Sequence, residues 1–176
     1  AAALVGVQTG LLVFLHPLYL VERGALGPEA VGYLVGLGAL GRLLGLWLGA
    51  SMSDRWGRMR VMLPGLLGYG ALLGSLTLVR HPFWLAVWTF AIGGGAGFVA
   101  TIPTAVVGDR VGPPLQGIAI GCLRTAADGG FVLGPLLFGA LADAAHLSAP
   151  FLAGAALLAA SAWGCRREAR RPAPGP

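Results

Sequence analysis

Three ionisable side chains interrupt long apolar stretches of this sequence: Arg42, Arg124 and Asp128. A charge at the centre of a membrane helix costs about 2.5–3.5 kcal/mol on the insertion scale, so such residues face a bundle interior or a water-filled cavity and mark solute or proton paths. Arg124 and Asp128 stand one helical turn apart, on one face. A carboxyl between an apolar wall and a guanidinium is balanced between its neutral and charged forms. Asp128 is therefore the candidate for proton coupling, with Arg124 as its partner; a permanently ionised structural pair is the other reading. Arg42 either attracts an anionic group or stabilises a helix end. Gln8, Tyr33 and Thr101 are candidate cavity contacts, along with Thr9, Tyr19, Thr89 and Thr104; such side chains also bond to their own or a neighbouring helix.

The densest charged motif is Asp54-Arg55-Trp56-Gly57-Arg58-Met59-Arg60, a short turn between two apolar runs. Gly57 permits a tight or left-handed backbone. Asp54 can sit near a helix N-terminus, where the dipole favours an anion, and the arginines can meet headgroups or carboxylates. Any cytoplasmic turn tends to be basic, but that tendency does not explain the order Asp-Arg-x-Gly-Arg.

The elements that must position these residues follow from composition. Of 176 residues, 56% are hydrophobic and 11% charged, where a soluble domain carries about 25% charged residues. That excludes disorder and disfavours a water-soluble enzyme or nucleic-acid module. The mean hydropathy is +0.78. All 12 basic residues are arginines, and they form no single basic face. A span needs about 20 apolar residues, which predicts six: A (Ala3–Val21), B (Glu29–Ala50), C (Val61–Val79), D (Pro82–Thr104), E (Leu115–Ala142) and F (Ala149–Cys165). The expected class is an all-α membrane protein, with a six-helix bundle over residues 1–165 and a basic, Pro-rich tail over 166–176. Pro17 is expected to bend the outer end of span A, and Trp84 and Trp88 to form an interfacial aromatic belt. His16, His81 and His146 make no metal-ligand pair, so no metal or cofactor is expected. The chain opens on Ala with no charged leader, which suggests a piece of a longer chain.

Arginine placement sets orientation. Arg55, Arg58, Arg60, Arg110, Arg166, Arg167, Arg170 and Arg171 fall on one side, against Arg23 and Arg80 on the other. The Asp54 loop, the Asp109 loop and both termini are thus expected in the cytoplasm. The net charge of +5 is mostly a topology signal and calls for no nucleic acid. A shift of 89 residues lays Gly32, Gly41, Gly45 and Asp54 on Gly121, Gly130, Gly134 and Asp143. This points to two three-helix repeats, over about 1–80 and 81–165, and an odd helix count per repeat inverts the second copy. Inverted repeats mark secondary transporters.

The order at Asp54, Arg55, Gly57 and Arg58 resembles the signature loop of the major facilitator superfamily, G-x-L-a-D-r-x-G-r-r. Ala50, Met52 and Met59 depart from it, and Gly139-Ala140-Leu141-Ala142-Asp143 echoes its first half. Gly121, Gly130, Gly134-Pro135 and Gly139 resemble the family's antiporter helix pattern, with Phe138 in place of one Gly. Gly130 and Gly134 allow close helix approach, and Pro135 can bend its helix. Span D lacks the Arg expected in the first half of that fold, so spans A to F resemble its C-terminal half. The resemblance implies secondary active transport of a small solute by alternating access, with proton-coupled efflux leading and uptake by a symporter or uniporter as the alternative. It implies a conformational-switch role for Asp54, Arg55, Gly57 and Arg58. Its implied partners are the bilayer, a missing N-terminal half, a solute and protons, in a bacterial inner membrane. A non-transporting scaffold is the structural alternative. No H-E-x-x-H, G-x-S-x-G or paired intramembrane acids support an enzyme.

Overall fold

The computed structural model describes residues 2–24 and 27–169, with side chains over 6–22 and 27–166. Among these residues every regular element is helical. The chain begins with α1 (Ala2–Gly10), a π-helical turn over Leu11–Leu15 and α2 (His16–Gly24), which run on without a break. The π turn has a local cause. Pro17 has no N–H for the carbonyl of residue 13, and its ring crowds that carbonyl. The ladder widens, and the His16 N–H bonds to the Leu11 carbonyl, a known response of helices to such an interruption.

Next come α3 (Pro28–Trp56) and α4 (Arg58–Ser75), separated only by Gly57 at φ +91°. A left-handed φ here would strain any other residue, and it lets two long helices turn back within one residue. α4 ends in a 3₁₀ turn over Leu76–Leu78. The region expected as span D is two helices, α5 (Pro82–Ala100) and α6 (Ile102–Arg110), parted at Thr101. Pro103 lacks the N–H that would continue the ladder. α7 (Pro113–Ala144) and α8 (Ala149–Ala169) complete the described chain. Of the expected tail, residues 170–176 lie outside the described residues.

Among the described residues, four helical stretches are long and apolar enough to cross a membrane: Pro28–Trp56, Arg58–Leu78, Pro82–Arg110 and Pro113–Ala144. Their outer faces are apolar. Leu43, Trp47, Val132 and Leu136 are all more than half exposed, as expected where lipid replaces water.

Inside, glycine sets the packing. α3 packs on α5, α1 on α7 and α4 on α8. A methyl group at Gly45 would strike the carbonyl of Gly94, and one at Gly49 that of Phe98; those at Gly93 and Gly97 would strike the carbonyls of Gly38 and Arg42. The α1–α7 crossing uses the same device. A methyl at Gly6 would strike the Ala127 carbonyl; one at Gly10 would stand 2.8 Å from the Phe131 carbonyl, and one at Gly134 2.6 Å from that of Val7. In lipid, backbone approach of this kind supplies the attraction that burial supplies in water. Larger residues fill the remaining centre: Leu11, Leu66, Leu73, Leu85 and Phe151 are almost fully buried. Tyr19 stacks edge-on against Phe151 at 4.9 Å between centroids, tying α2 to α8.

Trp88 departs from the expected belt. Its indole N–H donates to Ser75 Oγ at 2.9 Å, which fastens α5 to the end of α4. Trp84 stays half exposed.

Candidate functional site

Two constellations stand out. The first is a cavity of about 310 Å³ lined from α1 by Thr9, from α3 by Arg42, from α6 by Thr104 and from α7 by Arg124 and Asp128. The elements that gather these residues are the two glycine-lined crossings. Arg42 lies between Gly41 and Gly45; its carbonyl faces Gly97 of α5, and the residue also lines this cavity. Arg124 and Asp128 precede Gly130 and Gly134 on α7. Among the described residues, neither arginine has a carboxylate within ion-pair distance. Arg124 and Asp128 thus share a face and a cavity without closing on each other. Arg42 also reaches a second cavity, of about 210 Å³, with His16 and Thr89. There His16 Nε2 and Thr89 Oγ1 stand 3.4 Å apart, both side chains buried.

The other cavity candidates lie elsewhere. Gln8 is turned to α8, where its Nε2 donates to the Gly154 carbonyl at 2.6 Å. Tyr33 is 82% exposed near the start of α3. Thr101 sits at the α5–α6 break, with a buried hydroxyl that has no partner. Gly130 and Gly134 are buried at the α7 crossing, and Pro135 fits over Gly10, where an added methyl would stand 2.7 Å from the proline Cδ.

The second constellation is a charged clasp centred on Arg58. Its Nη1 donates to Asp54 Oδ1 at 2.7 Å, and its Nε donates to Asp109 Oδ2 at 2.6 Å. Weaker contacts reach Asp109 Oδ1 and Ser53 Oγ, each at 3.4 Å. One guanidinium thus joins the ends of α3, α4 and α6. The fork geometry of arginine makes this three-way contact possible, where a lysine would offer only a point charge. Asp54 and Asp109 are more than half exposed, and both lie in the polar breaks outside the apolar spans. The hydrogen bond from Arg58 holds the Asp109 carboxyl below its ordinary pKa of 3.8. The same bond raises the Arg58 guanidinium above its usual value. Asp54 therefore closes the last turn of α3 through Arg58. Arg55 points outward, without an ion pair among the described residues.

Asp109 is the clasp residue the sequence pattern passed over. Its signal was scarcity: the chain has only 7 acids, and this one sits in a loop expected on the same side as Arg58.

The sequence pattern that defines the Major Facilitator Superfamily matches residues 1–176. Among curated proteins, the chain is 28% identical over 153 residues to the multi-drug resistance efflux pump PmrA of Streptococcus pneumoniae, covering 85% of this chain and 38% of that protein. It is 30% identical over 157 residues to the multidrug resistance protein MdtG of Dickeya zeae, covering 87% of this chain and 38% of that protein. It is 27% identical over 153 residues to the quinolone resistance protein NorA of Staphylococcus aureus, covering 86% and 39% respectively. The chain thus spans well under half the length of these relatives.

Proposed function

This chain belongs to the Major Facilitator Superfamily, and from that premise we propose that it forms the C-terminal half of a secondary transporter that exports a small solute in exchange for protons. General membrane transport comes with the family. Export draws support from the relatives, each described as a drug efflux or drug resistance protein. The observation that carries the mechanism is the shared cavity of Arg42, Arg124 and Asp128. In this reading Asp128 takes a proton when the cavity faces the acidic side and releases it when the cavity faces the other.

The reading of spans A to F as six crossings in two inverted repeats is supported by the glycine contacts. Add 87 to each position on α1, subtract 89 from each on α7, and the α1–α7 contacts become the α3–α5 contacts. Gly6 on Ala127 becomes Gly93 on Gly38, Gly10 on Phe131 becomes Gly97 on Arg42, and Val7 on Gly134 becomes Gly94 on Gly45. A two-fold operation that exchanges the repeats requires this set of paired contacts. In the same reading both termini are cytoplasmic and the Arg58 clasp lies on the cytoplasmic face. There it releases and re-forms as the two halves rock, the usual motion of transporters built from repeats.

The test is a pH-gradient assay on the complete transporter in proteoliposomes, with a quinolone and a panel of other drugs as solutes. Asp128→Asn is expected to abolish gradient-driven transport while keeping expression and folding. Full gradient-driven transport in that variant would sink the proton-coupling role.

A further inference from the structure

Beside the polar cavity lies a groove with different chemistry. It has a volume of about 490 Å³ and is walled by α3, α4 and α5. Leu48, Gly65, Gly68, Leu72 and Phe98 line it, with Arg60 near the start of α4. Apart from Arg60, the Tyr69 hydroxyl and the Trp56 indole N–H, the lining side chains are apolar. Glycine makes the space: Gly68 on α4 faces open room, while the Phe98 ring lies over Gly65 and forms the opposite wall.

Three features select the occupant. The groove runs along α4 from Arg60 to Leu72, a helical rise of roughly 18 Å. This is close to the depth of one leaflet, about half of a hydrocarbon core of roughly 30 Å. Its walls belong to helices long and apolar enough to cross the membrane, so it opens to acyl chains. Arg60 is exposed and has no carboxylate within ion-pair distance among the described residues, in contrast to Arg58 two positions earlier. A lone cation at headgroup depth is complementary to a phosphate.

We infer that this groove holds one anionic phospholipid, with an acyl chain passing Gly68 and its phosphate at Arg60. On the orientation proposed above, the lipid comes from the cytoplasmic leaflet. The site is separate from the Arg42–Asp128 cavity and stands whether or not Asp128 carries protons.

The test uses the complete transporter, purified from liposomes of equal phosphatidylglycerol and phosphatidylcholine and weighed with its retained lipid by native mass spectrometry. One phosphatidylglycerol per chain is expected, retained about fivefold over phosphatidylcholine, the effect of one arginine at an anionic surface. Arg60→Gln should remove that preference while leaving total lipid retention in place. Gly68→Leu should lower retention of both lipids, because a side chain there fills the groove. An added methyl at Gly68 meets nothing within 4 Å, so its fold should survive, as an unchanged melting temperature will show. Equal retention of the two lipids by the unmodified protein would mark a groove that takes any apolar chain and would overturn the proposal. Undiminished retention in Gly68→Leu would overturn it as well.

Discussion

The α3–α5 and α1–α7 crossings make the same three backbone approaches and differ at their ends. Where Gly49 meets the Phe98 backbone, the corresponding positions are Phe138 and Leu11. A buried aromatic ring stands in place of a glycine, and Leu11 opens the π turn. Where α3 has Leu46, α7 has Pro135. One crossing is therefore closed by glycine along its length. The other is closed by glycine at one end; at the other it has a π turn, an interior proline and a buried ring. A helix is weakened where a hydrogen bond is missing or a ring intervenes, and both causes fall on the second crossing. The expectation is that α1–α7, beside the cavity lined by Asp128, yields more readily than α3–α5.

The largest effect should come from closing the α3–α5 crossing. Gly45→Leu sets a side chain against the Gly94 carbonyl, which is backbone inside a helix and has nowhere to go. Overpacking of this kind costs about 1–3 kcal/mol and sometimes more. Thermal unfolding of the complete protein in detergent should show the upper end of that range. Gly134→Leu, its counterpart against Val7, should cost clearly less, because the π turn and Pro135 let α1 and α7 part. Equal losses would break the comparison.

Pro135→Leu makes the second crossing resemble the first. Restoring an N–H in mid-helix should raise stability by about 1 kcal/mol, since proline in a helix interior costs about 3 kcal/mol or more and its fit over Gly10 offsets part of that. Transport should slow, because the yielding helix stiffens. A variant with higher melting temperature and unchanged turnover would remove Pro135 from the moving parts.

Much of this architecture was legible in the sequence, and the illegible part has a common cause. Apolar runs placed the long helices, and the order Asp-Arg-x-Gly-Arg placed the turn at Gly57. Gly41, Gly45, Gly130 and Gly134 were legible because four-residue spacing on one long helix is a pattern in itself. Their partners were not. Gly6–Gly10 and Gly93–Gly97 carry the same spacing, but nothing local says which helix each pair faces. Asp109 went unread for the same reason, since an ion pair 51 residues apart in sequence leaves no periodic trace. Gln8 looked like a cavity residue because polarity in a span is visible while direction is not. It faces Gly154.

The clasp invites a milder perturbation. Asp109→Asn leaves Arg58 on Asp54 alone and loosens α6 from the α3–α4 turn, with a shift in the transporter's resting conformation as the readout. Both acids are exposed, so salt screens the contact, and the difference between variant and parent should shrink as ionic strength rises. The pH dependence has a definite sign. The Asp109 carboxyl titrates below 3.8 in the folded chain, so its contribution is present above that value and fades only as pH falls through the lowered pKa. Between pH 5 and 8 the clasp should be insensitive to pH, which separates it from a proton step at Asp128.

The smallest expected effect probes how the two halves exchange a large residue for a small one. On one side Gln8 reaches over Gly154; on the other the Tyr69 ring lies over Gly95. Each leaves one buried polar atom unpaired, Gln8 Oε1 and Tyr69 Oη. They differ in what the other atoms do. Gln8 Nε2 makes an interhelical hydrogen bond, worth about 0.6 kcal/mol on average in membrane proteins, whereas the Tyr69 hydroxyl makes none. Tyr69→Phe should therefore raise stability slightly, by removing a buried group whose lost hydration nothing offsets. Gln8→Leu trades a hydrogen bond against the same relief and should come out near zero or slightly destabilising. Opposite signs in matched melting curves would show that the two repeats solve one packing problem with different chemistry; a loss on Tyr69→Phe would mean that the hydroxyl has a partner in the complete transporter.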